Sequence, residues 1–285
     1  MSHKDEALAD CAAGRNLGME DMAIFKQAAL ALSFFLTALP AHAASSAWFE
    51  TEGGRIRLVT TGSPAADGTL RAALQIDLAP GWKTYWHDPG DAGVPPQITF
   101  PASSGVTTAE IGYPAPRRFD DGASHWAGYE QPIALALTLH AAPGTVLKEL
   151  EADVFLGICQ SICVPVQAKL TLDPSRNADD MFDRATVSAA FDSLPAKASS
   201  TFGVSNTRIE GDMLIVDAAA PSLDKLKLFL ASDGGFQFGK PKRENGGARF
   251  IVPLLARPQD PAASATIAYT LSHGDEAVEG AFTLP

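Results

Sequence analysis

The chain has 285 residues, 46% of them hydrophobic and 19% charged, which supplies apolar material for one large or two modest packed domains and excludes wholesale disorder. Its formal net charge is −11 with a pI of about 4.9, and no run of Lys or Arg occurs. The electrostatic footprint of a nucleic-acid binder is therefore absent, while the acidity itself says nothing about fold.

The first legible segment follows Lys26, where an uncharged and mainly apolar stretch runs from Gln27 to Leu39. It ends in Pro40 and the small-x-small pattern Ala41-His42-Ala43, as a secretory signal peptide does, and it is short for a membrane span. The acidic residues Asp5, Glu6, Asp10, Glu20 and Asp21 do not suit a signal, so residues 1–43 read as a signal peptide with an over-extended start, translation beginning at Met19 or Met22. Cleavage near Ala43 removes Cys11 and leaves two cysteines, Cys159 and Cys163, in an oxidising compartment, with no second segment able to span a bilayer directly.

From residue 44 to 175 the pattern is short strands between Gly, Pro, Asp and Ser. Arg55–Thr60, Leu70–Leu78, Ile133–Leu139 and Val154–Ile158 alternate, and Val164–Leu172 places Val164, Val166, Ala168, Leu170 and Leu172 on one face. An all-β chain with turn-rich connections predicts an immunoglobulin-like β-sandwich. Residues 176–200 change texture. Asn177–Leu194 has an acidic start (Asp179, Asp180), spaced apolar residues (Phe182, Ala185, Ala189, Ala190) and a stop at Pro195, which predicts one helix, and the Ala/Ser-rich stretch Ala196–Thr201 reads as a linker. Residues 201–285 form a second β-sandwich-like unit, with strands over Met213–Asp217, Lys225–Ala231, Arg249–Leu255, Ala265–Ser272 and Ala277–Leu284. This unit has no cysteine and no tryptophan, whereas Trp48, Trp82, Trp86 and Trp126 all lie in the first, so any chemistry belongs to the first unit.

Cys159-Gln-Ser-Ile-Cys163 lies between two predicted strands and should form a hairpin tip, whose three-residue loop sets the flanking residues within disulfide reach. Counting outward from Val154, Leu156 and Ile158 puts Cys159 on the face away from the core, and Cys163 shares that face with Pro165 and Lys169. Three readings stay open for the pair: reversible exchange, a structural bridge and a metal site. Closing so short a loop stabilises a fold by only about 2 kcal/mol, which suits exchange better than stapling.

The segments around the pair add a resemblance. Gly81-Trp-Lys-Thr-Tyr-Trp-His-Asp-Pro-Gly-Asp-Ala-Gly-Val-Pro-Pro96, Tyr113-Pro-Ala-Pro116, Gly128-Tyr-Glu130 and Gly157-Ile-Cys-Gln-Ser-Ile-Cys-Val-Pro165 resemble, in order, motifs of the N-terminal periplasmic domain of the DsbD/ScsB thiol:disulfide interchange family. The second unit is similar to the additional domain of longer, ScsB-like members. The resemblance implies a periplasmic immunoglobulin-like electron carrier, a protein-disulfide reductase that needs no cofactor beyond Cys159–Cys163. Its partners would be thioredoxin-fold periplasmic proteins and a separate membrane thiol-reductant transporter. It implies that Cys163 forms the mixed disulfide and Cys159 resolves it. It also implies an aromatic cap over the pair, matched here by Phe119–Tyr129 with His125, Trp126 and Tyr129, and by Tyr85 and Trp86 as neighbouring contacts; these aromatics fit equally well as ordinary sandwich core.

Two other classes compete. Cys-x3-Cys-x-Pro superficially resembles a copper-chaperone motif, with His87, His125, His140 and His273 as further candidate ligands, but no ligand-like spacing links them, so no metal site is assigned. A non-catalytic binding module with a structural disulfide fits the same fold. Hydrolase motifs are absent, and Asp88 and Asp91 read as turn-formers.

Overall fold

The computed structural model describes residues 44–285 apart from 91–92, 121–124, 177, 179 and 261–263. The expected signal segment with its cleavage point near Ala43, Cys11, Asp91, Asn177 and Asp179 lie outside the described residues. Among the described residues no helix is long and apolar enough to cross a membrane.

Among the described residues eleven strands form the first body: β1 (Phe49–Thr51), β2 (Gly54–Thr60), β3 (Thr69–Leu78), β4 (Lys83–Gly90), β5 (Gln97–Thr99), β6 (Val106–Gly112), β7 (Arg117–Asp120), β8 (His125–Tyr129), β9 (Ile133–Ala141), β10 (Leu150–Cys159) and β11 (Cys163–Leu172). One sheet runs β1-β2-β3-β9-β6 and the other β11-β10-β4-β8-β7, with β5 added to β10. Alternation decides what they bury. Ile56 and Leu58, Leu70, Leu74 and Ile76, and Leu135, Leu137 and Leu139 point into one core, where Leu150, Leu156, Ile158 and Val166 meet them from the opposite sheet. Each such side chain stabilises the sandwich by about 1.5–3 kcal/mol.

The predicted helix is α1 (Met181–Asp192), shorter than the sequence pattern suggested at both ends. The Asp180 carboxylate caps it, accepting from the Phe182 and Asp183 amides at 2.8 and 3.0 Å. Its buried stripe also differs from the expected one: Val187 and Ala190 pack on Val59, Ala73 and Ala136, whereas Phe182 is exposed. The helix therefore seals the outer face of β2, β3 and β9. Arg71 adds its guanidinium over the Phe191 ring at 3.7 Å.

The second body contains β12 (Ala196–Lys197), β13 (Gly203–Glu210), β14 (Met213–Ala219), β15 (Lys227–Ser232), β16 (Gln237–Phe238), β17 (Lys242–Arg243), β18 (Arg249–Ala256), β19 (Ala265–His273) and β20 (Glu276–Leu284). Its sheets run β12-β20-β19-β15 and β13-β14-β18-β16, with β17 on β18. The expected linker is instead ordered: Ala196 and Lys197 pair in parallel with Val278 and Glu279, and Ala198 donates to the Glu279 carbonyl at 2.9 Å. Two sandwich-like bodies with one helix between them make the chain mostly β.

β15 has an unusual pattern. Leu228 and Leu230 enter the core of their own sandwich, yet Phe229 and Ala231, on the opposite face, are also buried. They pack on Trp86, Ala127 and Tyr129 of the first body. Both faces of this strand are thus apolar.

Candidate functional site

Strands β10 and β11 pair without interruption from Leu150↔Leu172 to Cys159↔Cys163. Gln160, Ser161 and Ile162 close the tip, where the Gln160 amide donates to the Ile162 carbonyl at 3.0 Å. The two cysteines thus end directly opposite each other, with Cα atoms 4.1 Å apart, and are joined as a disulfide. Both occupy the face away from the core, as strand parity predicts. Their accessibility differs sharply. Cys163 is exposed, whereas Cys159 is only 1% exposed.

Aromatic side chains on neighbouring strands cause that difference. Tyr85 on β4 and Trp126 on β8 bury Cys159, with Phe119 of β7 packed beside them. Tyr85 meets Trp126 edge to face at 5.8 Å between ring centroids, and Phe119 stacks on Trp126 at 3.9 Å. The Lys83 ammonium lies 4.3 Å from the Trp126 ring centroid, on the residue paired with Cys159 across the sheet. Two glycines permit this closeness. A Cβ on Gly157 would come within 3.2 Å of the Tyr85 ring, and one on Gly128 within 2.2 Å of the Thr84 carbonyl oxygen.

The Tyr85 hydroxyl lies within reach of both sulfurs. It donates to Cys159 Sγ at 3.1 Å and lies 3.3 Å from Cys163 Sγ. A buried hydroxyl spanning both sulfurs is placed to stabilise negative charge on whichever becomes a thiolate. At the edge of the cover, Asp120 lies 3.0 Å from His125 Nδ1 and pairs with Lys240 of the second body at 3.1 Å.

The cap and contact residues named from sequence divide into two groups. Tyr85 and Trp126 converge on the disulfide, and His125 stands at the rim of the cover. Trp86 and Tyr129 point the other way, into the contact with Phe229 and Ala231. There the Tyr129 hydroxyl donates to the Pro114 carbonyl at 2.7 Å, and burial holds its pKa well above the ordinary tyrosine value. Burial, with help from Asp233, pushes Tyr113 up to about 12. Asp88 accepts from the Gly90 amide at 2.9 Å, the turn role expected of it, and desolvation raises its pKa despite that bond.

The histidines weighed as ligands have separate surroundings. His87 stacks on Tyr113, His140 lies near Glu110, and the His273 ring contacts the Asp224 carbonyl. Among the described residues no three His, Cys, Asp or Glu side chains gather as a metal site. Sequence reasoning did not single out Lys83, or Phe119 beyond its place at the start of the cap stretch. The aromatic run Phe119…Trp126…Tyr129 carried the signal, but only register separates the side covering the disulfide from its reverse.

Comparison with known proteins places this geometry. Residues 58–175, which hold Tyr85, Phe119, Trp126 and both cysteines of the pair, match the family described as "Thiol:disulfide interchange protein DsbD, N-terminal". The crystal structure of the N-terminal periplasmic domain of ScsB from Proteus mirabilis superposes with a TM-score of 0.68 at 20% identity, covering 85% of this chain and 98% of that one. The likeness establishes a shared fold over both bodies. The conserved domain protein from Bacillus anthracis aligns over 88% of this chain and 93% of that one, but at 8% identity and a TM-score of 0.20 it carries no argument. No curated protein sequence matches the chain.

Proposed function

Because residues 58–175 form a domain of the DsbD N-terminal family around the Cys159–Cys163 disulfide, we propose that this protein is a periplasmic thiol–disulfide exchange protein that passes electrons to thioredoxin-fold partners. The observation that carries this reading is the unequal burial of the two sulfurs beneath one tyrosine hydroxyl. A structural staple has no need of one open and one shielded cysteine.

In the reduced protein, the exposed Cys163 thiolate attacks a partner disulfide, forms a mixed disulfide and releases one partner sulfur as a thiolate, which takes up a proton. The Cys159 thiol then loses its proton and attacks Cys163 Sγ. That step closes the Cys159–Cys163 bond and expels the second partner sulfur, also protonated. Two electrons and two protons have moved from this chain to the partner. Tyr85 is the positioning donor for both steps, since its hydroxyl reaches both sulfurs. Recharging requires a dithiol donor. A membrane protein that delivers reducing equivalents to the periplasm is the class that fits.

Equilibrating the pair in thiol redox buffers tests the proposal. A reduction potential between roughly −180 and −270 mV, the range of exchange proteins, is expected. A value below about −300 mV would mark a bond that resists reduction and would replace this reading with a structural disulfide in a binding module.

A further inference from the structure

Strands β4, β8 and β7 form a leaf with two working faces. On one face Tyr85, Trp126 and Phe119 lie over the disulfide; on the other Trp86, Ala127 and Arg118 meet the second body. Register enforces the split. Phe119 pairs with Trp126, and the adjacent Arg118 pairs with Ala127, so one step along the hairpin turns from cover to contact.

The contact is built around Phe229. Its ring is 1% exposed, meets Trp86 at 5.9 Å between centroids and lies 4.8 Å from the Arg118 guanidinium. Arg118 Nη2 also donates to the Leu228 carbonyl at 3.0 Å, while Lys240 holds Asp120 on the same hairpin. Trp86, Arg118, Phe229 and Phe238 line a small cleft of ≈30 Å³ beside this contact.

We propose that the second sandwich sets the position of the aromatic cover, with Phe229 and Arg118 as positioning residues for exchange at the disulfide. This inference rests on the exchange reading only for its purpose. Trp126 and Phe119 stand on strands whose reverse face is packed on Phe229, so any displacement of those strands that uncovers Cys159 works against that contact. The second sandwich thereby fixes how often Cys159 is uncovered, although among the described residues it contributes no atom to the pair.

Alkylation of Cys159 in a Cys163→Ser background, measured by peptide mass spectrometry in the full chain, reports uncovering directly and requires no electron transfer. Phe229→Ala and Arg118→Ala in that background should accelerate N-ethylmaleimide labelling of Cys159 on the order of tenfold. Val252→Ala, which thins the core of the second sandwich away from the contact, should leave the rate as it was. Unchanged labelling in the two contact variants overturns the proposal, as does equal acceleration by Val252→Ala, which would mean general loosening. If Phe229→Ala does not fold, Phe229→Leu and Arg118→Gln carry the test, because both keep bulk while removing the ring or the guanidinium; wild-type rates in these would be equally decisive. Faster labelling alongside a pair that stays oxidised in thiol redox buffers would refute the exchange function and leave the positioning role standing.

Discussion

Each sandwich carries a long antiparallel hairpin that stays in register to its tip. In the first, β10–β11 ends at Cys159↔Cys163; in the second, β19–β20 ends at His273↔Glu276. The two tips differ in what lies over them. His273 is only partly buried, its ring against the Asp224 carbonyl, whereas Cys159 lies beneath Tyr85 and Trp126. A hairpin is therefore a sufficient frame for pairing two residues, but the strands laid across it determine which of the pair meets solvent. The unequal exposure of the two cysteines at the first tip comes from β4, β7 and β8 more than from the hairpin.

The largest expected effect comes from breaking the asymmetry at the sulfurs. Cys163→Ser should reduce disulfide exchange with a thioredoxin-fold protein to background, while Cys159→Ser should accumulate a stable mixed disulfide, visible as a mass increase on non-reducing analysis. Removing the cover comes next. Trp126→Ala should cost about 3–5 kcal/mol in chemical denaturation and speed alkylation of Cys159. A normal labelling rate in a folded Trp126→Ala protein would reduce these aromatics to ordinary packing. Tyr85→Phe keeps the ring and removes the hydroxyl shared by the sulfurs. Losing a hydrogen bond to a charged thiolate is worth about 1.5–3 kcal/mol, so the reactive thiol of the reduced pair should titrate roughly 1–2 pH units higher in a pH profile of alkylation.

The second sandwich offers the contrasting perturbation. Val252→Ala should lower stability by about 1–3 kcal/mol and leave the reduction potential of the pair unmoved. Acid should produce the smallest difference, with opposite signs in the two regions. A hydrogen bond from Arg249 holds Asp217 of the second sandwich below its ordinary 3.8, so its contribution is present above that pH and fades as pH falls through the depressed value. Burial and neighbouring Asp180 raise Asp183 on α1, so its contribution is present below 3.8 and is lost as pH climbs through the raised value. Asp217→Asn should therefore flatten the acid limb of the stability profile, and Asp183→Asn the limb above it, in denaturation measured across pH.

Legibility in the sequence followed the number of buried faces. β3, β11, β18, β19 and β20 stood out because alternate residues enter a core. β4 and β8 did not, since Tyr85 is buried against the sulfurs and Trp86 against Phe229, which erases the period of two. The same two-sided burial kept Phe229 of Lys225–Ala231 from standing out. The cysteine tip was readable from its three-residue loop and flanking parity. Burial of Cys159 was not, because it arises from residues more than thirty positions away in the chain. Ala196–Thr201 looked like a linker by composition, and only its distant partner strand makes it part of a sheet.

That pairing of Ala196 and Lys197 with Val278 and Glu279 imposes a schedule. The stretch leaving the helix finds its neighbour only once a strand 82 positions further along has been made, so the second sandwich closes after the first. The first sandwich has all its strands by Leu172, and domains form in order of synthesis. For an interval in each molecule's life the cysteine hairpin and its aromatic cover therefore exist with Phe229 not yet behind them.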